Sequence, residues 1–209
     1  MLTILIIFTF ASILKNLMDK TKTNINENIL KIENTKNETV AIFDENDNYI
    51  GKDTRKNMRK NNLIHRCTSI IIINNKKQIL VQTRALTKEY CPGYLTICTG
   101  GIIKDGDTVE QNAFKELYEE LNIKIEKEKL KFLRKYFCEV KNIFKAWIYE
   151  FYIILNDEEI KQIFFNDKEV SKIDWIEKNE LFSMFDDPSK KILTSGKEAI
   201  KELISKNIL

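Results

Sequence analysis

Histidine is almost absent from this chain of 209 residues, which contains only His65. A single imidazole excludes any mechanism that needs several histidine ligands or a histidine pair, so we expect His65 to have a packing role. Cysteine is also scarce, and no Cys-x-x-Cys pair occurs. The spacing therefore predicts neither a zinc site nor a disulfide framework. The cysteines are Cys67, Cys91, Cys98 and Cys138.

The chain also lacks a strong charge bias. Its formal net charge is +3, and 31% of its residues are charged while 43% are hydrophobic. This composition is typical of a soluble globular protein, and so small a net charge gives no reason to expect nucleic acid as a partner. The length suits one domain with appendages. No pattern indicates an oligomeric state.

The first 39 residues differ in composition from the rest. Residues 1–18 form an apolar segment, and its hydrophobic run over 2–14 is too short for a stable membrane span. Two interpretations stay open for this segment: a signal or anchor, and an N-terminal helix docked on the domain. The location is predicted to be cytoplasmic, or organellar or secretory if the segment acts as a signal. Residues 19–39 have the composition of a polar linker, and residues 40–209 are predicted to form the domain with its C-terminal helices.

The most informative stretch is 100–123, in which a glycine pair and a turn precede a short helix. Thr108 is a good N-cap, and Gln111 three residues later completes a capping-box pattern. Asn122 tolerates the left-handed conformation that ends a helix. The spacing therefore predicts a helix that runs to Leu121. Its apolar face is formed by Ala113, Phe114, Leu117 and Leu121.

Three glutamates lie together on an adjacent strip of this helix. Glu116, Glu119 and Glu120 stand at i, i+3 and i+4, so their carboxylates project side by side. One interpretation is a solvated face that binds nothing, as most charged helix faces do. The other is a site for a divalent cation, since Mg²⁺ typically bridges a few carboxylates to substrate phosphates. Gly100 has no side chain, so its backbone carbonyl could approach such an ion closely.

Read with its loop, this stretch resembles the Nudix box, Gly-x5-Glu-x7-Arg-Glu-U-x-Glu-Glu-x-Gly-U, where U is a bulky aliphatic residue. Gly101 begins the match and Ile123 ends it, and the glutamate positions that bind metal in the family are kept. Three positions depart from the pattern: Asp107 for Glu, Lys115 for Arg, and Asn122 for Gly. Asp107 keeps the negative charge of the glutamate in the pattern, but its side chain is shorter by one methylene group.

The replacement of arginine by Lys115 is the departure with the largest expected consequence. Lysine keeps the charge but loses the planar fork that holds a carboxylate by two bonds. In the family this arginine orients the metal-binding glutamates, so the resemblance implies a looser site here. We assign structural roles in the box to Gly101, Asp107 and Lys115, and we expect the box to be functional but imperfect.

Beyond the box, the resemblance covers about residues 40–181 and is closest to the Nudix branch similar to isopentenyl-diphosphate isomerase. The matching segments are 43–51, 63–66, 80–88, 92–94 and 169–175. The match places Arg84 and Lys88 where that branch holds a diphosphate, whereas spacing alone favours an exposed basic loop. It also places Glu169 where some members have a further functional glutamate.

The isomerase reaction itself is not expected. Isomerases of this branch need a cysteine where this chain has Gly100 and a metal site with several histidines, and Cys98 lies two residues too early. The resemblance instead implies a pyrophosphohydrolase that splits a diphosphate linkage in a nucleoside-diphosphate-type or other small organic substrate. The alternatives are an enzyme similar to the isomerase and a non-catalytic domain that senses a diphosphate ligand.

The resemblance also assigns roles to individual residues. Glu116, Glu119, Glu120 and the Gly100 carbonyl would hold Mg²⁺, or Mn²⁺ in its place, while Arg84 and Lys88 would bind the diphosphate. The attacking water needs a general base. Glu119, Glu120 and Glu169 are the catalytic candidates.

The coarse secondary structure predicts an α+β fold. Strands are expected near 40–43, 49–51, 67–74, 78–84, 96–99, 129–140, 143–155 and 172–176. A short helix is expected within 52–60, and two helical stretches follow around Pro188. Together with the resemblance, this order predicts a Nudix-type α/β/α sandwich with a mixed sheet and a catalytic loop–helix–loop.

Overall fold

The computed structural model describes residues 37–88 and 90–209. The apolar segment 1–18 lies outside these residues, as does most of the polar linker 19–39, so the interpretations given to both stay predictions. Within the described ranges, no helix is both long enough and apolar enough to cross a membrane.

The strands lie close to the predicted ranges, with shifts of a few residues at their ends and one interruption described below. They are β1 (Thr39–Phe43), β2 (Tyr49–Thr54), β3 (His65–Asn74), β4 (Ile79–Arg84), β5 (Leu95–Thr96), β6 (Cys98–Thr99), β7 (Lys131–Val140), β8 (Phe144–Leu155) and β9 (Val170–Ile176). The helices are α1 (Arg55–Lys60), α2 (Val109–Leu121), α3 (Asp157–Lys161), α4 (Lys178–Asp186) and α5 (Lys197–Ser205). Single 3₁₀ turns occur at Lys127–Lys129 and Thr194–Gly196.

The main sheet is mixed, as predicted. Its strand order is β5-β4-β3-β8-β7, with β6 also beside β3 and β9 beside β4. β3 runs parallel to β8 along its whole length, from the pair His65–Ala146 to the pair Asn74–Leu155. The other pairings are antiparallel. β3 is therefore the strand against which the rest of the sheet is aligned.

β3 carries a core on each of its faces, because successive side chains of a strand point to opposite sides. Ile70 and Ile72 pack in one cluster with Leu117 of α2. Ile71 and Ile73 pack in a second cluster with Leu203 of α5. Full burial of one such side chain contributes about 1.5–3 kcal/mol. Helices thus cover both faces of the sheet, and the predicted α/β/α sandwich is confirmed.

The strand predicted at 96–99 is interrupted. β5 pairs with β4, whereas β6 pairs with β3. Between them the Thr96 hydroxyl accepts a hydrogen bond from the backbone N–H of Cys98 at 3.2 Å. A side chain that bonds its own backbone competes with the sheet ladder, which accounts for the break.

A separate hairpin, formed by β1 and β2, packs beside the main sheet. Its turn carries Asp47, whose side chain is 5% exposed. The Asp47 carboxylate accepts hydrogen bonds from Arg66 Nε at 2.7 Å, Tyr149 Oη at 2.6 Å and Lys135 Nζ at 3.0 Å. Burial opposes the change, but these three donors outweigh it and lower the pKa of Asp47. The contacts attach the hairpin to β3, β7 and β8.

The hairpin also contacts the loop that precedes α2. Val40 and Lys104 form an antiparallel bridge. The Asp105 N–H donates to the Thr39 carbonyl at 3.0 Å, and Lys52 forms an ion pair with Asp105 at 3.1 Å. The loop 102–106 is therefore held between the hairpin and the sheet, next to the glycine pair.

Candidate active site

Helix α2 has both predicted ends. The Thr108 hydroxyl accepts from the Gln111 N–H at 3.1 Å, and the Gln111 side chain accepts from the Thr108 N–H at 2.9 Å. Asn122 ends the helix in the left-handed conformation with φ 56°. Ala113, Leu117 and Leu121 are fully buried, while Phe114 is only partly buried. The capping box and the helix stop are confirmed.

Asn112 positions α2 against the sheet, a role that sequence reasoning missed. Its side chain is 2% exposed. It accepts a hydrogen bond from Thr68 Oγ1 at 2.6 Å and donates to the Ile102 carbonyl at 3.2 Å. Asn112, Glu116 and Glu120 follow one another at four-residue spacing, so the anchor sets the direction of the glutamates. The one sequence signal for this role was a polar amide directly before Ala113, a residue of the apolar helix face.

The glycine pair is required by its surroundings. A Cβ on Gly100, whose φ is +154°, would stand 2.2 Å from the Thr68 carbonyl oxygen. A Cβ on Gly101 would stand 2.2 Å from Glu116 Oε1. Any side chain at 101 therefore displaces the Glu116 carboxylate. This contact supports the structural role predicted for Gly101.

The three glutamates differ in their environments. Glu119 is exposed, Glu116 is partly buried and Glu120 is only 5% exposed. Burial raises the pKa of Glu116 to about 8, with repulsion from Glu120 and Glu119 adding to the shift. Burial also raises the pKa of Glu120, against the opposing effect of Lys88. The strip thus holds more carboxylates than its neighbouring cations neutralise.

Lys88 and Glu169 lie beside the glutamate strip. Lys88 Nζ is 3.4 Å from Glu120 Oε1 and also forms an ion pair with Glu169. The Ala85 N–H donates to the Glu169 carbonyl at 3.0 Å, and the Thr87 hydroxyl donates to the Lys168 carbonyl at 2.7 Å. Two loops that are distant in sequence therefore meet at the end of α2.

Arg84 is close to this group without touching it. Its Nε and Nη2 atoms donate to the Tyr90 carbonyl at 3.0 and 2.9 Å. Its charge nevertheless opposes the rise that burial causes in the pKa of Glu120. The guanidinium is held by its own loop, so its contact with a diphosphate stays a prediction.

Two of the departures from the box pattern pair with each other. Lys115 Nζ donates to both carboxylate oxygens of Asp107, at 2.8 and 2.7 Å. The lysine side chain is 48% exposed, so solvent weakens the pair. Lys115 therefore contacts the preceding loop and links it to α2. The cations that contact the glutamates come from other parts of the chain.

The oxygen donors suit a hard divalent cation. Across residues 37–88 and 90–209, no three Asp, Glu, His or Cys side chains converge closely enough to hold an ion as they stand. The two glutamates with raised pKa values and the contact of Glu116 with Gly101 are the observations that favour an ion here. An ion that takes Glu120 as a ligand competes with Lys88.

Comparison with known proteins identifies the family. The model of the NUDIX domain matches residues 63–195, which is more than half of the chain. The chain therefore belongs to the Nudix family, as the resemblance in the sequence predicted.

Two curated relatives illustrate the match. An uncharacterized Nudix hydrolase of Yersinia pestis is 38% identical over 86 residues, which cover 41% of this chain and 47% of the relative. Isopentenyl-diphosphate delta-isomerase 2 of Homo sapiens is 42% identical over 64 residues, or 28% of each chain. The chain spans about half the length of the curated hydrolases it matches.

Solved structures show the same fold. A crystal structure of DR0079 from Deinococcus radiodurans has a TM-score of 0.62 at 18% identity, and covers 78% of this chain and 98% of that protein. A bifunctional NMN adenylyltransferase/ADP ribose pyrophosphatase from Francisella tularensis, complexed with AMP and an Mn ion, has a TM-score of 0.53 at 17% identity. This likeness covers 68% of this chain and 41% of that one.

Proposed function

We propose that this protein hydrolyses a diphosphate linkage in a small organic substrate, of the nucleoside-diphosphate type or a related one. The observation that carries the proposal is the glutamate strip of α2. Glu116 lies against a glycine that leaves room only for its carboxylate, beside a buried Glu120. A purely solvated face would need neither feature.

Glu116, Glu119, Glu120 and the Gly100 carbonyl are the proposed ligands of Mg²⁺, with Mn²⁺ as a substitute. The Francisella neighbour was also solved with a Mn ion. Such an ion, when bound, neutralises the diphosphate and lowers the pKa of a water molecule. Lys88 is close enough to exchange its contact with Glu120 for a phosphoryl oxygen.

The chain's own residues then orient the reactants. Lys88, and Arg84 once it leaves the Tyr90 carbonyl, stabilise the negative charge that grows on the diphosphate oxygens. Glu119 and Glu120 are candidates to accept the proton of the attacking water. Glu169 is a third candidate, because Lys88 connects it to Glu120.

The similarity to the human isomerase does not extend to the cysteine chemistry. Gly100 stands where that reaction needs a cysteine. Burial raises the pKa of the Cys98 thiol to about 12, so this neighbouring residue stays protonated at neutral pH. Hydrolysis is therefore the better supported reaction.

The test is product release from a panel of nucleoside, sugar-nucleotide, dinucleotide and prenyl diphosphates, with Mg²⁺ and with EDTA. We expect Mg²⁺-dependent release of monophosphate products from some members and its loss in Glu120→Gln. A Glu120→Gln variant as active as the wild type would refute the assigned role. If no panel member releases product although the ion binds, a non-catalytic domain that senses a diphosphate would be favoured. Conversion of a prenyl diphosphate without hydrolysis would favour an isomerase.

A further inference from the structure

The main sheet splits beside the glycine pair. Among the described strands, β3 and β4 pair directly at one position, Ile73–Ile79. Beyond it the segment 95–99 fills the space between them, because β5 pairs with β4 while β6 pairs with β3. β6 has two residues, and β3 is its one partner among the described strands. So short a strand makes few backbone hydrogen bonds, and its position depends on side chains as well.

Gln82 of β4 holds β6 from the other side of the split. The residue is 2% exposed. Its Nε2 donates to the Thr99 hydroxyl, and to the Cys98 carbonyl at 3.3 Å. A side-chain amide has two N–H donors, so both are used on β6. These bonds take the place of the backbone pairing that the described strands β4 and β6 lack.

Gly100 follows directly after Thr99 and lies opposite Ser69 of β3. The neighbouring pair Ile70–Thr99 fixes this register. A Cβ on Gly100 would stand 3.2 Å from the Ser69 Cα, so the two backbones are in close contact. The path of the chain through Gly100 is thus set by β3 on one side and by Thr99 just before it.

The register also sets the direction of the Gly100 carbonyl. The Thr68 N–H donates to the Gly101 carbonyl at 2.9 Å, so this pair is hydrogen-bonded. Antiparallel pairs alternate between hydrogen-bonded and non-hydrogen-bonded positions, so the next pair, Ser69–Gly100, is of the second kind. The Gly100 carbonyl therefore points away from β3, towards the side from which Gln82 reaches β6.

We propose that Gln82 is a positioning residue of the candidate metal site, which fixes the direction of the Gly100 carbonyl through Thr99. The inference rests on the proposed function, in which this carbonyl is a ligand of the divalent cation. Without the amide donors β6 is held on the β3 side alone, and the carbonyl loses its fixed direction. α2 has its own anchor at Asn112, so the glutamates keep their places.

The experiment is a calorimetric titration of Mn²⁺ at neutral pH into the full chain and its variants. Gln82→Met keeps the length of the side chain without its donors, and we expect its affinity to be about tenfold weaker. Thr99→Val keeps the shape and removes the hydroxyl, so a similar loss is expected. Thr99→Ser retains the hydroxyl and should bind as the wild type. The double variant Gln82→Met/Thr99→Val should lose no more than Gln82→Met, because both changes remove one contact.

Asn74→Ala is the matched control for lost stability. Asn74 is a buried polar residue at the far end of β3, with 5% exposure. Its side chain accepts from the N–H groups of Lys76 and Gln78 at 3.0 and 2.9 Å. Its loss should lower the unfolding temperature, as Gln82→Met does, and leave the Mn²⁺ affinity unchanged.

Wild-type affinity in Gln82→Met would overturn the proposal. So would equal losses in Thr99→Val and Thr99→Ser, because the hydroxyl would then be irrelevant, and so would an equal loss in Asn74→Ala. If Gln82→Met does not fold, the two Thr99 variants decide the question.

The outcomes are separable from those of the proposed function. If the wild type binds Mn²⁺ and Glu120→Gln binds it weakly, an unchanged affinity in Gln82→Met removes only the role of Gln82. No binding by the wild type would overturn the metal site, and this inference with it.

Discussion

Two sites in this molecule contain buried carboxylates, and the pKa values at the two sites shift in opposite directions. Asp47 stands alone among three donors, and their hydrogen bonds lower its pKa against the effect of burial. On α2, three glutamates share the nearby cations, and burial with mutual repulsion raises the pKa of Glu116 to about 8. The charge of Asp47 is therefore balanced by donors within the fold, whereas the three glutamates have too little positive charge around them.

The difference separates a structural role from the functional role proposed for the glutamate strip. A buried carboxylate with enough donors stabilises the contact it makes, and Asp47 attaches a hairpin to the sheet. A group of carboxylates without enough donors destabilises the fold unless a ligand supplies the missing charge. Such clusters of perturbed groups are therefore candidates for binding and catalysis. Substitutions in the two groups should have opposite effects on stability and activity.

The largest effect is expected for Glu116→Gln. Loss of this proposed metal ligand should lower the proposed hydrolysis about a thousandfold, equivalent to about 4 kcal/mol of transition-state stabilisation. In EDTA the variant should unfold at the same or a higher temperature. The folded carboxyl has a raised pKa, so its ionisation costs stability as pH rises from 4.5 towards 8, and glutamine removes this cost.

Initial rates and thermal unfolding measure both halves of this prediction. Glu110→Gln, on the exposed side of the same helix, is the matched control and should change neither quantity. A large stability loss in Glu116→Gln would place Glu116 in the same class as Asp47.

The opposite result is expected for Asp47→Asn. Removing the charge leaves Arg66 and Lys135 without their carboxylate, and this should reduce the free energy of unfolding by about 3 kcal/mol. Hydrolysis per folded molecule should be unchanged. Chemical denaturation with rate measurements tests this, and a selective loss of activity would show that the hairpin acts at the site.

The pH dependence sharpens the prediction for Asp47. Its pKa is lowered in the folded state, so its stabilising contribution is present above the ordinary value of 3.8 and is lost as pH falls through the lowered folded value. The stability difference between wild type and Asp47→Asn should therefore be constant near neutral pH and shrink in acid. Denaturation series at several pH values measure it.

The smallest effect is expected for Lys115→Ala. The pair with Asp107 is half-exposed, and such pairs contribute less than about 1 kcal/mol. Activity should fall about two- to fivefold through a less firmly held loop, with Lys76→Ala in an exposed turn as the control. A loss as large as that of Glu116→Gln would mean that Lys115 orients the glutamates, as the arginine of the family does.

Local rules predicted the parts of the fold that depend on neighbouring residues. The ends of α2, its apolar face and the spacing of the glutamates follow from side-chain chemistry and helix periodicity. The Nudix family itself was recognised from the box and is confirmed by the domain match.

Contacts between distant residues could not be predicted in this way. Asn112 bonds Thr68 across 44 positions, and Lys88 meets Glu169 across 81. No periodicity relates such residues, since their meeting depends on how the sheet orders its strands. The pairing of Asp107 with Lys115 is closer in sequence, but it depends on the path of a loop, which has no repeating pattern.

The most direct test of the central claim is a calorimetric titration of Mn²⁺ into the wild type, Glu116→Gln and Glu120→Gln at neutral pH. We expect the wild type to bind Mn²⁺ and each variant to bind it with an affinity at least about tenfold weaker. Equal binding by all three proteins, or none by the wild type, would contradict it and identify the glutamate strip as an ordinary solvated helix face.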